Sequence, residues 1–352
     1  MKYSVIVPVY NRPDEVDELL ESLTLQDAGS FEVIVVEDGS QVTCQHVCER
    51  YADRLDIHYF NKDNSGPGQS RNYGAERAQG EYLLILDSDV VLPPGYLKAV
   101  DDELAVEPAD AFGGPDKANP SFTDVQKAIS YSMTSFFTTG GIRGGKKKMD
   151  KFYPRSFNMG IRRDVYLCLH GFSDMRFGED IDFSIRIFKA GCSCRLFPEA
   201  WVWHKRRTDF RKFWRQVYNS GIARINLYKK YPESLKLVHL LPMVFTLGVF
   251  GTLLCLVLGF LPCLLGTHHV FPVLGLLIEA MGCLGGLLLL VYSIALLADS
   301  TRKNGSFRIG LLSVRAAFTQ LLGYGCGFLS ACWKRCVMGR DEFSAFAKTF
   351  YK

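Results

Sequence analysis

The sequence predicts an α/β fold, in which a mostly parallel, helix-flanked sheet is followed by an interfacial helix and apolar C-terminal helices. Over residues 1–115, short apolar runs that suit strands alternate with segments that suit helices, and this alternation is typical of parallel sheets. Beyond residue 236, two apolar runs are long enough to cross a bilayer as helices. The 352 residues also exceed the length of one average domain.

The first 115 residues are predicted to form five strands and four helices in alternation. Ser65 can cap the third helix, because a serine hydroxyl accepts from the first turn and Pro67 is tolerated there. The predicted strands are Ser4–Val9, Phe31–Val36, Leu55–Phe60, Tyr82–Leu86 and Asp110–Gly114. The predicted helices are approximately Pro13–Gln26, Thr43–Tyr51, Pro67–Ala78 and Gly95–Glu107.

Residues 116–204 lack the regular strand–helix alternation of the first 115 residues and are predicted to complete this domain. Thr138–Lys148 contains four glycines and three consecutive lysines, which predicts a mobile basic loop. No secretory signal precedes the first strand, so we expect the domain in the cytosol. The remaining predicted elements are a strand near Phe157–Ile161, a helix over about Glu179–Lys189 that ends before Gly191, and a strand near Arg195–Phe197.

Two carboxylates follow the fourth predicted strand directly, in the order Asp87-Ser88-Asp89. Parallel sheets bind ligands at the carboxyl edge of their strands, where this strand would deliver both acids. Carboxylate oxygens suit a hard divalent cation, and such a cation suits a diphosphate. A solvated turn after a strand is the alternative for an isolated motif of this kind.

Further motifs accompany this one in a fixed order. Together they resemble the family 2 glycosyltransferases, inverting enzymes with the GT-A nucleotide-sugar fold, a Rossmann-like mixed sheet. The resemblance covers roughly residues 1–230 and implies a UDP- or GDP-sugar donor. The motifs are Ser4–Asn11, Val33–Ser40, Gly66–Asn72, Asp87–Asp89, Phe157–Gly160 and Gly178–Phe183.

The resemblance assigns the donor and metal sites residue by residue. Asp89 and Asp87 are expected to hold a divalent cation, Mg or Mn, and His204 is a further candidate ligand. The alternative for His204 is a partly exposed side chain beside Trp203, and the alternative for Arg71 is a surface arginine. The expected nucleotide-sugar-binding residues are Pro8, Tyr10, Asn11, Glu37, Asp38, Arg71, Asp87 and Ser88.

Asp180 is the predicted catalytic base, with Glu179 beside it. Both lie at the start of a predicted helix, where the helix dipole favours an ionised acid. Such a base would take the proton of an attacking acceptor hydroxyl. The alternative is that these acids only cap the helix. Asn158 and Asp182 are expected on the acceptor side.

The C-terminal part is predicted to associate with a membrane. Residues 205–236 resemble an amphipathic interfacial helix with aromatic and basic faces. The basic residues before the span 240–265 and after the span 271–298 place both outer flanks of this pair on the cytosolic side of an inner membrane, with the short loop between the spans on the other side. In residues 309–333, Gly323, Gly325 and Gly327 weaken the helical pattern, so an interfacial or re-entrant segment is favoured over a third span. The predicted organisation is a cytosolic domain over 1–204 with halves 1–115 and 116–204, an interfacial helix over 205–236, a membrane region over 237–333 and a basic cytosolic tail over 334–352.

These observations predict a membrane-anchored inverting glycosyltransferase. It would move one sugar to a hydroxyl of a membrane-associated, lipid-linked glycan in cell-surface polysaccharide biosynthesis. The Gln-x-x-Arg-Trp motif of processive relatives is absent from the sequence, which favours transfer of a single sugar. The alternatives are transfer onto polyprenyl phosphate and a non-catalytic membrane scaffold. The basic residues cluster beside apolar spans, where they suit membrane lipid, so we expect no nucleic-acid partner.

Overall fold

The computed structural model describes residues 1–27, 29–117, 119, 121–139, 152–265 and 272–341. The chain divides into two compact units. The first lies within residues 1–120 and 146–205, and the second within residues 121–145 and 206–346. The predicted basic loop from residue 140 onward, the turn between the two apolar runs and most of the basic tail lie outside the described residues.

The first unit contains a seven-stranded mixed sheet and a small three-stranded sheet. The strands are β1 (Tyr3–Val9), β2 (Phe31–Asp38), β3 (Asp56–Lys62), β4 (Tyr82–Leu86), β5 (Val90–Val91), β6 (Ala111–Gly113), β7 (Asp116–Lys117), β8 (Asn158–Arg162), β9 (Cys194–Leu196) and β10 (Val202–His204). The large sheet has the order β3-β2-β1-β4-β8-β6-β9, and the small one has the order β5-β10-β7.

Helices cover both faces of the large sheet. All five residues of β4 are buried, which explains why this strand is an uninterrupted apolar run rather than an alternating one. In β1, Val5 and Val7 pack in one core cluster while Ile6 packs in the other, because successive side chains point to opposite faces. The helices of this unit are α1 (Pro13–Thr24), α2 (Gln45–Tyr51), α3 (Pro67–Arg77), α4 (Tyr96–Val106), α7 (Arg163–Cys168) and α8 (Glu179–Lys189).

One strand of the large sheet runs against its neighbours. The strands β3, β2, β1 and β4 are mutually parallel. In contrast, β8 is antiparallel to β4 on one side and to β6 on the other. The sheet is therefore mixed, as the predicted fold requires.

The second unit is helical, and α12 lies at its centre. This helix packs against α5, α9, α10 and α11. Among the described residues, two helical stretches are long and apolar enough to cross a membrane, Leu237–Phe260 and Val273–Asn304. The helices of this unit are α5 (Asp124–Thr134), α6 (Phe136–Thr139), α9 (Phe210–Lys230), α10 (Leu241–Leu265), α11 (Pro272–Asn304) and α12 (Phe307–Ala331).

The glycine-rich segment near the C-terminus is one regular helix rather than a broken one. Its glycines stand where α12 meets its neighbours: a Cβ atom on Gly327 would lie 2.0 Å from the Tyr218 carbonyl oxygen of α9. A Cβ on Gly325 would similarly lie 2.0 Å from Thr246 Oγ1 of α10. Close helix packing at small residues thus compensates for the weak helix propensity of glycine.

The helices α5 and α6 also lie in the second unit, although the sequence places residues 116–204 together in one acceptor half. The reason is the apolar face of α5. Its Ala128, Ile129 and Met133 share a core cluster with Phe213 of α9 and Ala316 of α12.

Candidate active site

Three potential metal ligands converge at the carboxyl edge of β4. One ligand atom from each of Asp87, Asp89 and His204 lies within 4.8 Å of the others. The acids follow β4 directly, and β5 begins immediately after them at Val90. Because β10 pairs with β5 so that His204 stands opposite Val90, the imidazole arrives beside Asp89. A mainchain bond from Lys205 N to the Asp89 carbonyl, 3.1 Å long, continues this pairing.

Charged neighbours surround Asp89. Its carboxylate lies 3.1 Å from Arg12 Nη1 and 3.3 Å from His204 Nε2. The other imidazole nitrogen of His204 lies 3.8 Å from an Asp116 oxygen, and the ring stacks on Phe157 at 4.6 Å. Burial lowers the pKa of His204, but Asp89 and Asp116 together outweigh burial and raise it to about 9.

The donor set fits a divalent cation. Two carboxylates offer oxygen ligands that suit Mg²⁺ and Mn²⁺, and a neutral imidazole adds a nitrogen ligand. Asp116, next to the far imidazole nitrogen, is positioned to orient the ring, as outer carboxylates do for metal-bound histidines. The residues present therefore form a potential Asp-Asp-His metal site.

Arg71 connects the acidic motif after β4 with the acids of α8. It is 3% exposed; its Nη2 donates to Asp87 Oδ1 over 2.7 Å, and its Nη1 donates to Glu179 Oε1 over 3.4 Å. The guanidinium also lies over the Phe172 ring, 5.1 Å from its centroid. Arg71 is therefore buried rather than a surface arginine, and its planar fork bridges two motifs 92 positions apart (179 − 87).

The two acids at the start of α8 have different surroundings. Asp180 Oδ1 accepts from the Ile181 backbone N–H over 2.8 Å, and its Oδ2 lies 3.2 Å from Arg155 Nη1. Burial and the neighbouring Asp180 carboxylate raise the pKa of Glu179 to about 7, although Arg71 opposes this shift. Gly178 precedes the helix with a φ of +85°, a backbone conformation that glycine adopts without strain.

Asp38 is buried at the end of β2 and organises the loop before α3. Its oxygens accept from the backbone N–H groups of Ser65 and Gly66, each over 2.8 Å, and from Lys62 Nζ over 2.6 Å. This carboxylate thus fixes the entry to α3, the helix that carries Arg71.

Glu37 and Asn11 tie together the loops that follow β1 and β2. Glu37 is fully buried and accepts from the Cys44 backbone N–H over 2.9 Å, as well as from the Ser40 hydroxyl. Asn11 has a φ of +53°, and its side-chain oxygen accepts from the Gln41 N–H over 2.8 Å. Both residues lie at the carboxyl edge of the large sheet, where the sequence predicts them, and their hydrogen bonds stabilise the loops at this edge.

Four further residues predicted from the sequence also lie in the first unit. Pro8 belongs to β1, Tyr10 follows it, and Ser88 is buried between the two acids. Asn158 is also buried, and it accepts from the Tyr96 hydroxyl over 2.6 Å and donates to the Ala200 carbonyl over 2.8 Å.

Asp182 is fully buried on the first turn of α8. It accepts from the Ser173 hydroxyl over 2.9 Å and from Arg186 Nε over 3.0 Å. Arg186 in turn donates to the carbonyls of Leu169 and Gly171, each over 2.6 Å. This arrangement favours a positioning role for Asp182, in which it holds the loop before α8.

Three charged residues of the site were not predicted from the sequence. Arg12 pairs with Asp89, Arg155 pairs with Asp180, and Asp116 contacts His204. Arg12 follows the Asn11 that the sequence did single out, and that adjacency was the only local signal. The other two lie in segments with no distinctive pattern.

The sequence has relatives among curated proteins. The model of the family described as "Glycosyl transferase family 2" matches residues 4–169. The poly(ribitol-phosphate) beta-N-acetylglucosaminyltransferase TarS of Staphylococcus aureus is 41% identical over 102 residues, which are 28% of this chain and 18% of TarS. An uncharacterized glycosyltransferase of Haemophilus influenzae is 31% identical over 193 residues, which are 53% of this chain and 62% of that protein.

A solved structure shares the fold. The mannosyltransferase PcManGT from Pyrobaculum calidifontis, in complex with GDP-Man and Mn2+, matches with a TM-score of 0.55 at 16% identity, over 95% of this chain and 88% of that chain. The predicted GT-A fold is thereby confirmed. The match to the first curated relatives spans 18% of their length, so the sequence similarity concerns a domain rather than those whole proteins.

Proposed function

We propose that this chain, whose residues 4–169 match the model of the family 2 glycosyltransferases, transfers a single sugar from a UDP- or GDP-sugar to a hydroxyl of a membrane-associated glycan. One observation carries the proposal. Arg71 connects Asp87, in the potential metal site, to Glu179, next to the candidate base Asp180. The two halves of the required chemistry, leaving-group stabilisation and base catalysis, thus meet in one unit.

Asp87, Asp89 and His204 would hold a Mg²⁺ or Mn²⁺ ion, and the imidazole ligand favours Mn²⁺. Such a cation, when bound, neutralises charge that develops on a leaving diphosphate. The mannosyltransferase with the same fold was solved with GDP-Man and Mn2+, which supports this choice of donor class and ion. Pro8, Tyr10, Asn11, Asp38 and Ser88 would contribute to the nucleotide side of the pocket.

Asp180 would act as the base that takes the proton of the acceptor hydroxyl. Arg155 and a backbone N–H in the first turn of α8 contact its two oxygens and would hold the carboxylate in a fixed orientation at the start of the helix. Glu179 would support it by holding Arg71. Asn158 and Asp182 would shape the acceptor side through the buried hydrogen bonds that they make.

The acceptor would be lipid-linked, and the protein would reside in the inner membrane with its first unit in the cytosol. Two helical stretches with the length and composition of membrane spans support this proposal. Arg302 and Lys303 lie at the end of the second stretch and Arg308 follows it, which is typical of a cytosolic flank. Membrane attachment would raise the local concentration of enzyme near a lipid-bound glycan.

The substitution Asp180→Asn tests the proposal. The purified full-length chain would be assayed with radiolabelled UDP- and GDP-sugars, Mn²⁺ and two acceptor pools: lipid-linked glycans and polyprenyl phosphate. Transfer to a hydroxyl should fall by about 10²-fold or more, because a positioned base typically contributes that much. The substitution Asp174→Asn, on the loop before α8, serves as the control.

The alternatives give different results in the same assay. A phosphate acceptor is already ionised, so transfer to polyprenyl phosphate that survives Asp180→Asn would replace the hydroxyl acceptor. A folded chain that binds donors with Mn²⁺ but turns over none of them would instead indicate a non-catalytic scaffold.

A further inference from the structure

The second unit contains an open cavity of about 590 Å³ near the start of α9. Five of its lining residues are consecutive or nearly so at the beginning of this helix, and the sixth comes from α12. The lining residues are Asp209, Phe210, Arg211, Lys212, Arg215 and Arg315. Nothing in the proposed sugar transfer makes use of this cavity.

The lining is strongly basic. Four cationic side chains face one acid, so its formal charge is +3 (four minus one). The acid, Asp209, caps α9: its Oδ1 accepts from the Lys212 backbone N–H over 2.7 Å, and this bond lowers the pKa of Asp209. Its Oδ2 lies 3.5 Å from Lys212 Nζ, so this acid offsets one of the four cations and the three arginines supply the excess charge. The cavity therefore suits an anion with more than one charge, and arginine forks suit phosphate in particular.

Arg315 connects this basic cavity to an apolar surface. Its guanidinium lies over the Phe210 ring, 4.5 Å from the centroid, which holds the charge at the cavity. On α12, Phe307, Leu311 and Arg315 follow one another at intervals of four residues, so they share one face of the helix. Phe307 and Leu311 are 61% and 51% exposed. An apolar strip thus leads along α12 to the cationic group.

We propose that this cavity binds the phosphate group of a membrane lipid, whose hydrocarbon chain lies along Phe307 and Leu311. A cation cluster at the end of an exposed apolar strip has the chemistry of a lipid headgroup and its chain. Free phosphate could also bind the cations of the cavity, but it has no hydrocarbon chain to contact Phe307 and Leu311. The inference rests on the membrane association that belongs to the proposed function.

The test measures binding to the full-length chain in an uncharged detergent, without a sugar donor. The probes are dioctanoyl-phosphatidylglycerol, inorganic phosphate and dioctanoylglycerol, which lacks the phosphate. The test variants are Arg315→Gln, the double variant Arg211→Gln/Arg215→Gln and Leu311→Ser. The matched control is Lys229→Gln, an exposed cation at the other end of α9.

Phosphatidylglycerol should bind the native chain and the Lys229→Gln control equally. Each arginine variant should weaken this binding by about tenfold or more, as expected for the loss of charge-assisted hydrogen bonds. Leu311→Ser should weaken phosphatidylglycerol binding but leave inorganic phosphate binding unchanged. Unchanged Mn²⁺-dependent nucleotide binding in each variant would show that the chain is folded.

Three outcomes would overturn the proposal. Equal affinity for dioctanoylglycerol and phosphatidylglycerol would exclude phosphate recognition. Equal affinity for inorganic phosphate and the lipid would make the cavity a free-phosphate site. Unchanged lipid binding in both arginine variants would place the headgroup elsewhere. None of these readouts requires sugar transfer, so a failure of the proposed enzymatic activity is distinguishable from a failure here.

Discussion

Arg71 Nη2 lies 2.7 Å from Asp87 Oδ1, and the same guanidinium reaches Glu179 at 3.4 Å. This buried cation is surrounded by groups that belong to two separate motifs. Because Arg71 is 3% exposed, water cannot replace it as the partner of Asp87 or Glu179 unless the surrounding residues rearrange. We therefore infer that Arg71 is a positioning residue, which would orient Asp87 toward the potential metal site and Glu179 beside the candidate base.

The first prediction concerns this bridge. Arg71→Met should destabilise the first unit by about 1–3 kcal/mol, because it leaves two partly buried carboxylates without their cation. Arg71→Lys should reduce the stability less than Arg71→Met does, because a cation remains. It should still reduce kcat, since one ammonium cannot reproduce a guanidinium that contacts two carboxylates. Thermal unfolding and kcat measurements check both. Arg77→Lys, on the exposed end of the same helix, is the control; equal effects at the two positions would contradict the bridge.

A second prediction concerns the metal site. Mn²⁺ should raise the Tm of the native chain in the presence of a nucleoside diphosphate, and a chelator should reverse the increase. Asp89→Asn should abolish the Mn²⁺-dependent part of this shift, because it removes a carboxylate ligand from the cluster. Differential scanning fluorimetry measures it.

The control for the metal prediction is Asp63→Asn, which lies outside the ligand cluster. A Mn²⁺ shift of full size in Asp89→Asn would mean that the ion binds elsewhere. Loss of the Mn²⁺ shift in Asp63→Asn alone would also mean that the ion binds elsewhere.

The third prediction is a dependence of stability on pH. Burial and Asp180 raise the pKa of Glu179 from 4.5 to about 7, so the folded state favours the protonated carboxyl. Its contribution is complete below pH 4.5 and is lost as the pH rises toward 7. Glu179→Gln, which mimics the protonated form, should therefore gain stability over the native chain between pH 5 and pH 8. The gain is up to about 3 kcal/mol, since each pKa unit is worth about 1.4 kcal/mol.

Tm measured across this pH range, with exposed Glu76→Gln as the control, tests that dependence. The difference between the native chain and Glu179→Gln should widen as the pH rises, whereas Glu76→Gln should follow the native curve throughout. Parallel curves for all three proteins would show that Glu179 ionises normally.

The fourth prediction concerns the glycines of α12. Glycine to alanine in a helix usually stabilises by about 0.5–1 kcal/mol. Gly327→Ala should instead destabilise, by about 1–3 kcal/mol, because the new Cβ meets the Tyr218 carbonyl at 2.0 Å. Gly286→Ala on α11, where nothing lies within 4 Å, is the matched control. Heat-induced aggregation of the detergent-solubilised chain ranks the two variants, and a Gly327→Ala protein as stable as the control would rule out tight contact.

Much of the fold follows from local pattern. The strand β4 is a continuous apolar run, and β1 and β2 contain the apolar runs Val5–Val7 and Val33–Val36. The predicted bounds of these three strands agree with the observed ones within about two residues. The acids at the end of β4 were predictable as a site because a strand ending fixes where its next residues stand.

The rest depends on tertiary contacts that no local pattern encodes. The pairing of Arg12 with Asp89 joins residues 77 positions apart in sequence. The position of His204 depends on a two-residue strand pairing between β5 and β10. The sequence underestimates the helical state of residues 307–331 because glycine propensity is weak, while the packing that favours a helix there involves the four helices α5, α9, α10 and α11.

The reversed direction of β8 has a consequence for how this catalytic edge is assembled. Asn158, the first residue of β8, pairs with Leu86, the last residue of β4. The chain therefore enters β8 on the very side from which β4 departs. Had β8 run parallel to β4, the segment carrying Arg155 and Phe157 would emerge on the opposite rim, remote from His204 and Asp180. The antiparallel direction of β8 thus brings a second segment of the chain to the carboxyl edge of β4. The sequence of this segment can vary without changing the strands that carry the nucleotide half.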